Sequence, residues 1–453
     1  MSATARLAAF AAETPTPSIP TEVSGRALDL VTDIAGSAIR AANEAESTPA
    51  VLAMLRRLGM EGGETCTVLG LNRRYGPAGA ALLNGMFGHS LDFDDTHADS
   101  SLHPSAPVVP AALAAAEMTG ASGADFLAAV VIGFETCCRL GMALDPTAHY
   151  ARGFHPTATA TAGTFGAAAA AGRLLGLDAA TTASAFGVAA SQASGSLQFL
   201  VNGAWNKRYQ VGEAAMKGLI AATLAAEGFV GAQDAIEGAH GFLHGYSDGA
   251  DPARATAGLG TVWETMRIGV KPYPACRYTH AAVDGLLALK RELGLAPEEI
   301  EGVTVGLHRN GITLVGAPLA DKRRARSVVE GQFSMPFAAA VALIRDRFGW
   351  DDYDLLGDPQ ADALADRVEV RRDESLEGLR HPFGATLGLR ARGRTHALHT
   401  PDPSGEPGSF PGADAIAAKF DALAGPVLNA RTDALLTRLR ALPTAASLRG
   451  WLA

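Results

Sequence analysis

Residues 124–144, ADFLAAVVIGFETCCRLGMAL, indicate the fold class of this chain. The stretch is rich in Ala, Leu and Val, and its polar side chains are too few to form a polar face on a helix. A helix that is apolar on nearly every face has to be buried inside a bundle or under a partner subunit. The longest uninterrupted apolar run, 126–134, is far shorter than the ~20 residues that cross a bilayer. The stretch therefore predicts a core helix of a soluble protein.

Similar segments surround this one along the first 265 residues or so. Residues 20–43, 157–174 and 212–229 are also rich in Ala and Leu and are punctuated by Gly and Pro, which is typical of helix after helix. The chain contains 51 glycines and many alanines, and such small side chains allow helix backbones to approach each other closely. These segments predict a large helical bundle.

The sequence pattern changes near residue 270. Residues 301–315, 367–374 and 385–398 alternate or are rich in β-branched side chains, as strands are, and helices are predicted between them at 279–293 and 336–348. Residues 401–412, PDPSGEPGSFPG, look like a linker, after which helical segments return. We therefore predict a mainly α fold, with a large all-helical domain formed by residues 1–268 and 405–453. A smaller α+β domain, residues 269–404, is inserted into it.

Length and composition narrow the class of protein. A chain of 453 residues exceeds what one hydrophobic core usually organises, so two domains are expected, with one chain-long barrel as the alternative. With 48% hydrophobic and 19% charged residues, intrinsic disorder is excluded. The net charge of −9 argues against a nucleic-acid partner or an anionic membrane surface. Any anionic ligand therefore requires locally placed cations.

Motifs of several common enzyme classes are missing from the sequence. It contains no GxxxxGK[ST], no strand-associated GxGxxG, no HExxH and no GxSxG. The four cysteines show neither CxxC spacing nor a Cys/His zinc pattern, and they are too few for a secreted disulfide scaffold. The N-terminal residues are too weakly charged and too weakly apolar for a secretory signal. We expect a cytoplasmic protein.

The densest polar cluster is GHSLDFDDTHADSSLHP, residues 88–104, between two apolar helices. It contains four Asp and three His within seventeen residues. Its composition allows three interpretations: a solvated Asp-rich connector, an acid/base site, or a divalent-cation site formed by Asp92, Asp94 and Asp95.

Two further clusters carry histidine or paired cations. His155 precedes a proline at a predicted helix start in ARGFHPTATATAGTFG (151–166), where it is either a helix-end hydrogen-bonding group or a catalytic base. Lys207 and Arg208 stand at the head of the helix in NGAWNKRYQVGEAAMKG (202–218). Cations at a helix N-terminus oppose its dipole, so the pair indicates either an anionic ligand between them or two solvated surface side chains.

The last cluster, GVKPYPACRYTHAAVDG (269–285), lies at the predicted domain junction. It brings Lys271, Cys276, Arg277 and His280 within ten residues, and its prolines keep the segment extended. Interdomain clefts often hold small molecules, although a rigid hinge explains the segment equally well. A buried, inert thiol is a better interpretation of Cys276 than a nucleophile.

Taken in chain order, these segments resemble the MmgE/PrpD family, which includes 2-methylcitrate dehydratase, cis-aconitate decarboxylase and iminodisuccinate epimerase. The resemblance lies in HSLDFDDTH with HPSAPV, GFHPT, GAWNKRYQVGEAAMKG with EGFVGAQDAIEG, and KPYPACRYTH, and it spans about residues 20–345. It implies a helical domain with an α+β lid domain, a homodimer, no cofactor and no metal, and an active site between the domains.

The resemblance also implies a set of site residues. The catalytic candidates are His103, His155, Lys207, Lys271 and Asp92, and the substrate-binding candidates are Thr96, Arg277, Cys276 and His280. In these roles the cations neutralise substrate carboxylates, and a histidine, first His103 and then His155, carries a proton near neutral pH. Asp92 orients an imidazole or keeps a lysine charged. Where decarboxylases of the family often have His, this chain has Cys276.

We therefore predict a lyase of a small citrate-like polycarboxylate, with dehydration slightly favoured over decarboxylation. One alternative is an epimerase of an aminodicarboxylate such as iminodisuccinate, in which Cys276 is one of two opposed bases. A second alternative is a non-catalytic helical binding protein that keeps the fold. A third is the divalent-metal enzyme built on the Asp-rich cluster.

Overall fold

The structure is a computed structural model that describes residues 1–63, 65–145, 158–378 and 383–453. The chain divides into two compact units. The first comprises Met1–Gln198, Trp205–Ile268 and Pro411–Ala453, and the second comprises Phe199–Ala204 and Gly269–Phe410. Both ends of the chain therefore belong to the first unit. The mainly α fold with a small sheet is confirmed.

Helices make up most of the first unit. Its described α-helices are α1 (Ala3–Glu13), α2 (Thr21–Glu44), α3 (Thr48–Arg57), α4 (Pro77–Ser90), α5 (Ser105–Thr119), α6 (Gly123–Ala143), α7 (Ala158–Leu174), α8 (Ala179–Gln192), α9 (Asn206–Ala226), α10 (Phe242–Tyr246), α11 (Ala413–Leu428) and α12 (Thr432–Arg440). One short strand, β1 (Thr96–His97), accompanies them, and another, β2 (Ile268–Gly269), lies where the chain passes from the first unit to the second. Helix α7 lies at the centre, where it packs against α5, α6 and α9.

Helix α6 corresponds to the stretch that indicates the fold class. It is long and apolar enough to cross a membrane by length and composition, yet 94% of its apolar window is buried inside the protein. The phenylalanines Phe126 and Phe134 are completely buried within it. The prediction of a core helix is confirmed.

Two glycines allow α4 and α9 to pack closely. A Cβ atom built on Gly85 would lie 2.8 Å from the Cα atom of Gly212. One built on Gly212 would collide with the carbonyl oxygen of Leu82 and lie 2.8 Å from the backbone nitrogen of Met86. Real Cβ contacts are longer than this, so only glycine fits at both positions. The close approach brings the C-terminal half of α4 beside the first turns of α9.

The second unit is built around a four-stranded sheet. Its strands are β3 (Ile300–Leu307), β4 (Val368–Arg372), β5 (Ala385–Ala391) and β6 (Arg394–Thr400), in the order β4-β3-β5-β6. Its described helices are α13 (His280–Leu293), α14 (Arg309–Gly311), α15 (Leu319–Lys322), α16 (Val328–Gln332), α17 (Met335–Arg345) and α18 (Pro359–Ala365). Strand β3 is parallel to β4 and antiparallel to β5, with Val303 opposite Val368 and Leu389. Strands β5 and β6 form an antiparallel hairpin. Helix α13 covers the β5–β6 half of the sheet.

Two details of the second unit differ from the predictions. The strand expected over 301–315 ends at Leu307, and residues Ile312–Gly316 form a π-helical turn. The sequence 401–412 is not a loose linker, because Glu406 is 5% exposed and forms an ion pair with the buried Arg277. Ser404 also donates its backbone N–H to Asp284. Turn-rich composition indicates a loop but does not show whether the loop is packed.

Candidate active site

The Asp-rich loop joins α4 to α5 and is buried. Asp92 and Asp95 are 1% exposed, and Asp94 is fully buried. Burying three carboxyl groups costs much free energy unless each is paired or protonated. The interpretation of this loop as a solvated connector is therefore wrong.

Asp92 and Lys207 form an ion pair at the end of α4. Asp92 has a left-handed backbone with φ of 51°, a strained conformation for a residue with a side chain. Its Oδ1 atom contacts the Nζ atom of Lys207, which lies in the first turn of α9. The side chain of Lys207 is 15% exposed, whereas that of Asp92 is 2% exposed. The lysine therefore contacts a buried carboxylate and is itself partly accessible to solvent. The structure thus supplies an acidic partner for the lysine at this helix start.

The neighbouring cation, Arg208, has a different environment. It is 3% exposed, and its Nη1 atom donates to the hydroxyl of Ser47 at 3.3 Å. The two cations predicted to act together therefore point to different partners. The two residues are adjacent in the sequence, so the sequence could not show that Lys207 contacts Asp92 whereas Arg208 is buried inside the fold.

Two histidines lie on either side of Asp94. The Nδ1 atom of His89 lies 2.6 Å from the Oδ2 atom of Asp94, and the Nδ1 atom of His103 lies 3.9 Å from the same oxygen. The imidazole rings of the two histidines meet edge to face, with centroids 5.0 Å apart. Burial lowers the pKa of His89, the negative charge of Asp94 opposes this shift, and the charge of Lys207 adds to it. A neutral His89 avoids a buried positive charge, and its Nδ1 hydrogen still donates to the Asp94 carboxylate.

His103 is held by its ring and by its backbone. The Nδ1 atom lies 2.7 Å from the carbonyl oxygen of Asp95 and 3.4 Å from the hydroxyl of Thr96. A ring nitrogen beside a carbonyl oxygen carries the hydrogen, so Nε2 is the atom that takes up a further proton. The backbone N–H donates to the hydroxyl of Thr159 at 3.0 Å. The side chain of His103 is 17% exposed, whereas that of His89 is fully buried.

Asp95 stabilises the start of α5. Its two carboxylate oxygens accept hydrogen bonds from Ser105, one from the backbone N–H at 3.1 Å and one from the hydroxyl at 2.6 Å. Burial raises the pKa of Asp95 well above its usual range, the charge of Asp94 raises it further, and the Ser105 hydrogen bonds oppose the rise. This carboxyl group fixes the loop that carries the backbone carbonyl contacted by His103.

The carboxyl groups of the loop do not converge as metal ligands would. Asp92 contacts a lysine, Asp94 a histidine and Asp95 a serine. Within the described parts of the chain, no group of three or more His, Cys, Asp and Glu side chains is arranged to hold a metal ion. The divalent-cation interpretation of this loop therefore lacks the geometry it requires.

Sequence reasoning missed a second lysine beneath the loop, with a side chain that is 13% exposed. Lys419 of α11 lies 2.8 Å from the Oδ1 atom of Asp33 of α2 and donates to the carbonyl oxygen of Phe93 at 2.7 Å. Its Nζ atom also lies 4.0 Å from the centre of the Phe93 ring. Burial raises the pKa of Asp33, Lys419 opposes the rise, and the charge of Asp94 adds to it. Neither residue belongs to a dense polar cluster of the sequence, so no local pattern indicated the pair.

Four further predicted site residues, which are Lys271, Cys276, Arg277 and His280, belong to the second unit. Lys271 is fully buried there. Arg277 lies 2.6 Å from Glu406 and 3.1 Å from the Nδ1 atom of His280, and it donates to two backbone carbonyls. Most of its donors are therefore used inside the unit. The Nε2 atom of His280 lies 3.0 Å from the carbonyl oxygen of Ala275.

Cys276 is 8% exposed and lies near Lys322 of the same unit. Burial lowers the pKa of Lys322, and the charge of Cys276 opposes the shift. All four cysteines of the chain are reduced and buried. The last candidate, His155, lies outside the residues that the structure describes.

Within the first unit, the structure thus brings together four of the predicted residues, which are Asp92, Thr96, His103 and Lys207. It adds His89, Asp94 and Asp95 to them. The cluster contains an ammonium group held by a carboxylate, beside an imidazole whose partners fix its tautomer. Such a set of groups can bind a carboxylate and transfer a proton.

Comparison with known proteins identifies the family. The MmgE/PrpD N-terminal domain matches residues 5–255, and the MmgE/PrpD C-terminal domain matches residues 273–441. A cis-aconitate decarboxylase-like protein, oryM, of Aspergillus oryzae is 32% identical over 343 residues, 71% of this chain and 70% of that protein. The cis-aconitate decarboxylase of Aspergillus terreus is 30% identical over 359 residues, 75% of this chain and 71% of its own length. The human cis-aconitate decarboxylase is 32% identical over 228 residues, 49% of this chain and 46% of its own. The chain belongs to the MmgE/PrpD family.

Proposed function

We propose that this protein is a lyase that acts on a small citrate-like polycarboxylate. The observation that carries the proposal is the cluster of Lys207, Asp92, His103, Asp94 and His89 in a chain whose relatives are cis-aconitate decarboxylases. Because several relatives carry that name, we favour decarboxylation of an unsaturated tricarboxylate over the dehydration favoured by sequence reasoning alone.

In this proposal Lys207 binds a substrate carboxylate. An ammonium group has three donors, and Asp92 occupies one of them. The Asp92 carboxylate positions the ammonium group at this helix start, and in the proposal the ammonium group donates to the substrate carboxylate. Lys271 of the second unit stays a predicted cation for a substrate carboxylate. Two or three carboxylates in a low-dielectric site require such neutralisation.

His103 is the proposed proton donor. Loss of CO₂ breaks a carbon–carbon bond and leaves the electron pair on the allylic carbon, where the conjugated carboxylate shares it. The Nε2 hydrogen of an imidazolium then adds to this carbanion, which returns the ring to its neutral form. The Asp95 carbonyl and the Asp94 carboxylate face Nδ1, at 2.7 and 3.9 Å, and stabilise the imidazolium before the transfer. Positioned general acids of this kind contribute about 10²- to 10⁴-fold to the rate.

The remaining predictions belong to the same proposal. Thr96 orients His103 or a substrate carboxylate, and His155 is a second proton carrier. Cys276 lines the substrate pocket in place of the histidine of other decarboxylases. Arg277 and His280 hold the segment that carries Lys271 and Cys276. We also expect a homodimer in the cytoplasm, which gel filtration with light scattering and cell fractionation test.

Proton NMR in deuterated water tests the reaction class. The purified protein is incubated separately with cis-aconitate, citrate, 2-methylcitrate and iminodisuccinate. Decarboxylation predicts a dicarboxylate product with one deuteron on the protonated carbon. Dehydration predicts loss of water from citrate or 2-methylcitrate, and epimerisation predicts deuterium exchange in iminodisuccinate without net loss of any group. Absence of turnover and exchange with all four, in a folded protein, contradicts the proposed function and favours a binding protein.

A further inference from the structure

One histidine of the Asp-rich loop, His97, has no part in the mechanism described above. It is completely buried, as is Ser100 in the same loop. Its Nδ1 atom lies 2.8 Å from the hydroxyl oxygen of Ser100, and its Nε2 atom lies 3.3 Å from a carboxylate oxygen of Glu264. Glu264 is 3% exposed. The imidazole ring therefore connects its own loop to a segment of the first unit that lies 167 residues further along the chain.

Glu264 is an ionised hydrogen-bond acceptor for this histidine. Burial raises the pKa of Glu264, but the hydrogen bond and the charge of His97, together with the charge of Arg267, bring the pKa below its usual range. The Nη1 atom of Arg267 lies 3.3 Å from the oxygen that faces His97. Because a carboxylate only accepts hydrogen bonds, the Nε2 atom of His97 carries the hydrogen between them.

The segment that carries Glu264 is held against α6. Its next residue, Thr265, is fully buried and donates both its backbone N–H and its hydroxyl to Glu135 of α6, each at 2.8 Å. Arg139, one turn further along α6, donates to the carbonyl oxygen of Val262 at 2.6 Å. The side chains of Glu135 and Arg139 also pair with each other at 3.1 Å. The position of Glu264 is therefore fixed relative to α6.

His97 also closes the turn that joins two residues of the candidate active site. Its backbone exchanges hydrogen bonds with that of Leu102, at 2.9 and 3.4 Å. Thr96 immediately precedes this bridge, and His103 immediately follows it. Helix α6 packs on the same turn, since a Cβ atom built on Gly141 would lie 2.7 Å from the Cδ2 atom of Leu102. The place of this turn therefore depends on its contacts with α6 and with the segment that carries Glu264.

We propose that His97 is a positioning residue for the lyase reaction and that Glu264 acts through it. Together they fix the turn that ends at His103, so that its Nε2 atom faces the carbon to be protonated. The inference rests on the proposed function, in which His103 is the proton donor. Displacement of a reacting group by about 1 Å is enough to lower a rate about 10²-fold. A histidine that is itself too deeply buried to meet substrate therefore controls the rate through the backbone of its loop.

Two substitutions of His97 separate its two contacts. In His97→Asn the amide extends only to the former position of Nδ1, so the side chain still meets Ser100 and no longer reaches Glu264. In His97→Gln the longer side chain places an amide nitrogen near the former position of Nε2, where it donates to Glu264. We expect His97→Asn to lower kcat for cis-aconitate about 10- to 100-fold with little change in KM. We expect His97→Gln to lower kcat less, because it keeps the connection to the anchored segment.

NMR of the histidine rings gives a readout that does not depend on turnover. The protein is prepared with isotopically labelled histidine, and the resonance of His103 is assigned with His103→Gln. The rings of His103 and His89 meet edge to face with centroids 5.0 Å apart, so displacement of His103 changes its chemical shift. At fixed pH, we expect this resonance to move in His97→Asn and to stay close to its wild-type position in His97→Gln. If the wild-type protein does not turn over cis-aconitate, the proposed function fails, and the NMR result alone decides whether His97 positions His103.

A matched control comes from the second unit. His308 is another buried histidine, with its Nε2 atom 3.2 Å from the carboxylate of Glu377. We expect His308→Gln to leave both kcat and the His103 resonance unchanged. If His97→Asn does not fold, Glu264→Ala replaces it, since this variant removes the anchor and keeps the His97 ring. An unmoved His103 resonance, wild-type kcat in an active enzyme, or equal effects of the Asn and Gln substitutions overturns the proposal.

Discussion

Replacing Lys419 with methionine removes the charge beneath the candidate active-site loop while keeping most of the apolar side chain. In the wild-type protein this ammonium group contacts Asp33, which is 1% exposed, and the carbonyl oxygen of Phe93. Phe93 lies between Asp92 and Asp94, so the lysine holds the loop that carries both. The Lys419→Met variant therefore leaves a buried carboxylate without its cation and a backbone carbonyl without its donor.

The expected cost follows from the burial of Asp33, which is 1% exposed. Removal of one partner of a buried ion pair typically costs about 3–5 kcal/mol. Loss of the contact between the ammonium group and the Phe93 ring adds up to about 2 kcal/mol in a desolvated site. Protonation of Asp33 reduces the cost, because burial already raises the pKa of this carboxyl group and the cation that opposed the rise is gone. We expect a net loss of about 3 kcal/mol at pH 8.

The pH dependence of this loss has a definite sign. A carboxyl group whose pKa is raised in the folded protein binds a proton more readily there than in the unfolded chain. Its proton binding therefore stabilises the folded protein at low pH, and this stabilisation is lost as the pH rises through the folded-state pKa. The destabilisation by Lys419→Met is therefore larger at pH 8 than at pH 5. Urea unfolding followed by circular dichroism measures it at both pH values.

Two further variants make this prediction refutable. Adding Asp33→Asn to Lys419→Met removes the stranded charge and is expected to restore more than half of the lost stability. The control Lys217→Met removes a more exposed pair with Glu213 within one helix and is expected to cost about 0.5 kcal/mol or less. A loss below 1 kcal/mol for Lys419→Met, or a double variant no more stable than the single one, would refute the reasoning.

Three other predictions concern packing and charge elsewhere. The stability of Asp95→Asn relative to the wild type is expected to increase as the pH rises from 5 to 8, because the raised pKa of Asp95 makes the wild type lose stability over this range. Urea unfolding measures this difference, and a difference in urea midpoint that does not change with pH contradicts the prediction. Gly212→Ala is expected to cost about 1–3 kcal/mol, because the added Cβ meets the Leu82 carbonyl; an unchanged melting temperature contradicts this. Glu406→Gln strands the buried Arg277 and is expected to destabilise the protein by about 3 kcal/mol in urea unfolding, whereas a cost below 1 kcal/mol contradicts the packed interpretation of residues 401–412.

The helical class of the fold could be predicted from the sequence because burial leaves a strong pattern. Residues 124–144 lack a polar face, and α6 is buried accordingly. The end of β3 could not be predicted in the same way. Residues 308–315 include Ile312, Leu314 and Val315, which suit a strand, but the chain turns after Leu307 and forms a π-helical turn. Local propensity does not include the tertiary contacts that end a strand.

Site residues were predictable where the sequence places several polar groups together. Asp92, Thr96 and His103 come from one dense loop, and Lys207 stands at a conspicuous helix start. Lys419 and Asp33 were not predictable, because each is one of several charges spaced along its helix and the two meet only through packing of α11 on α2. A charged residue on a helix is ordinarily a surface side chain, so the local sequence carries no information about a partner almost 400 residues away along the chain.

The central claim is that His103 and Lys207 perform the chemistry on a polycarboxylate. The most direct measurement is the turnover of cis-aconitate by His103→Ala and Lys207→Met, compared with Lys217→Met, a lysine of the same helix that pairs with Glu213. We predict that His103→Ala lowers kcat by about 10²-fold or more and that Lys207→Met lowers kcat/KM to a similar extent, while Lys217→Met retains wild-type activity. Wild-type turnover by His103→Ala or by Lys207→Met would contradict the account.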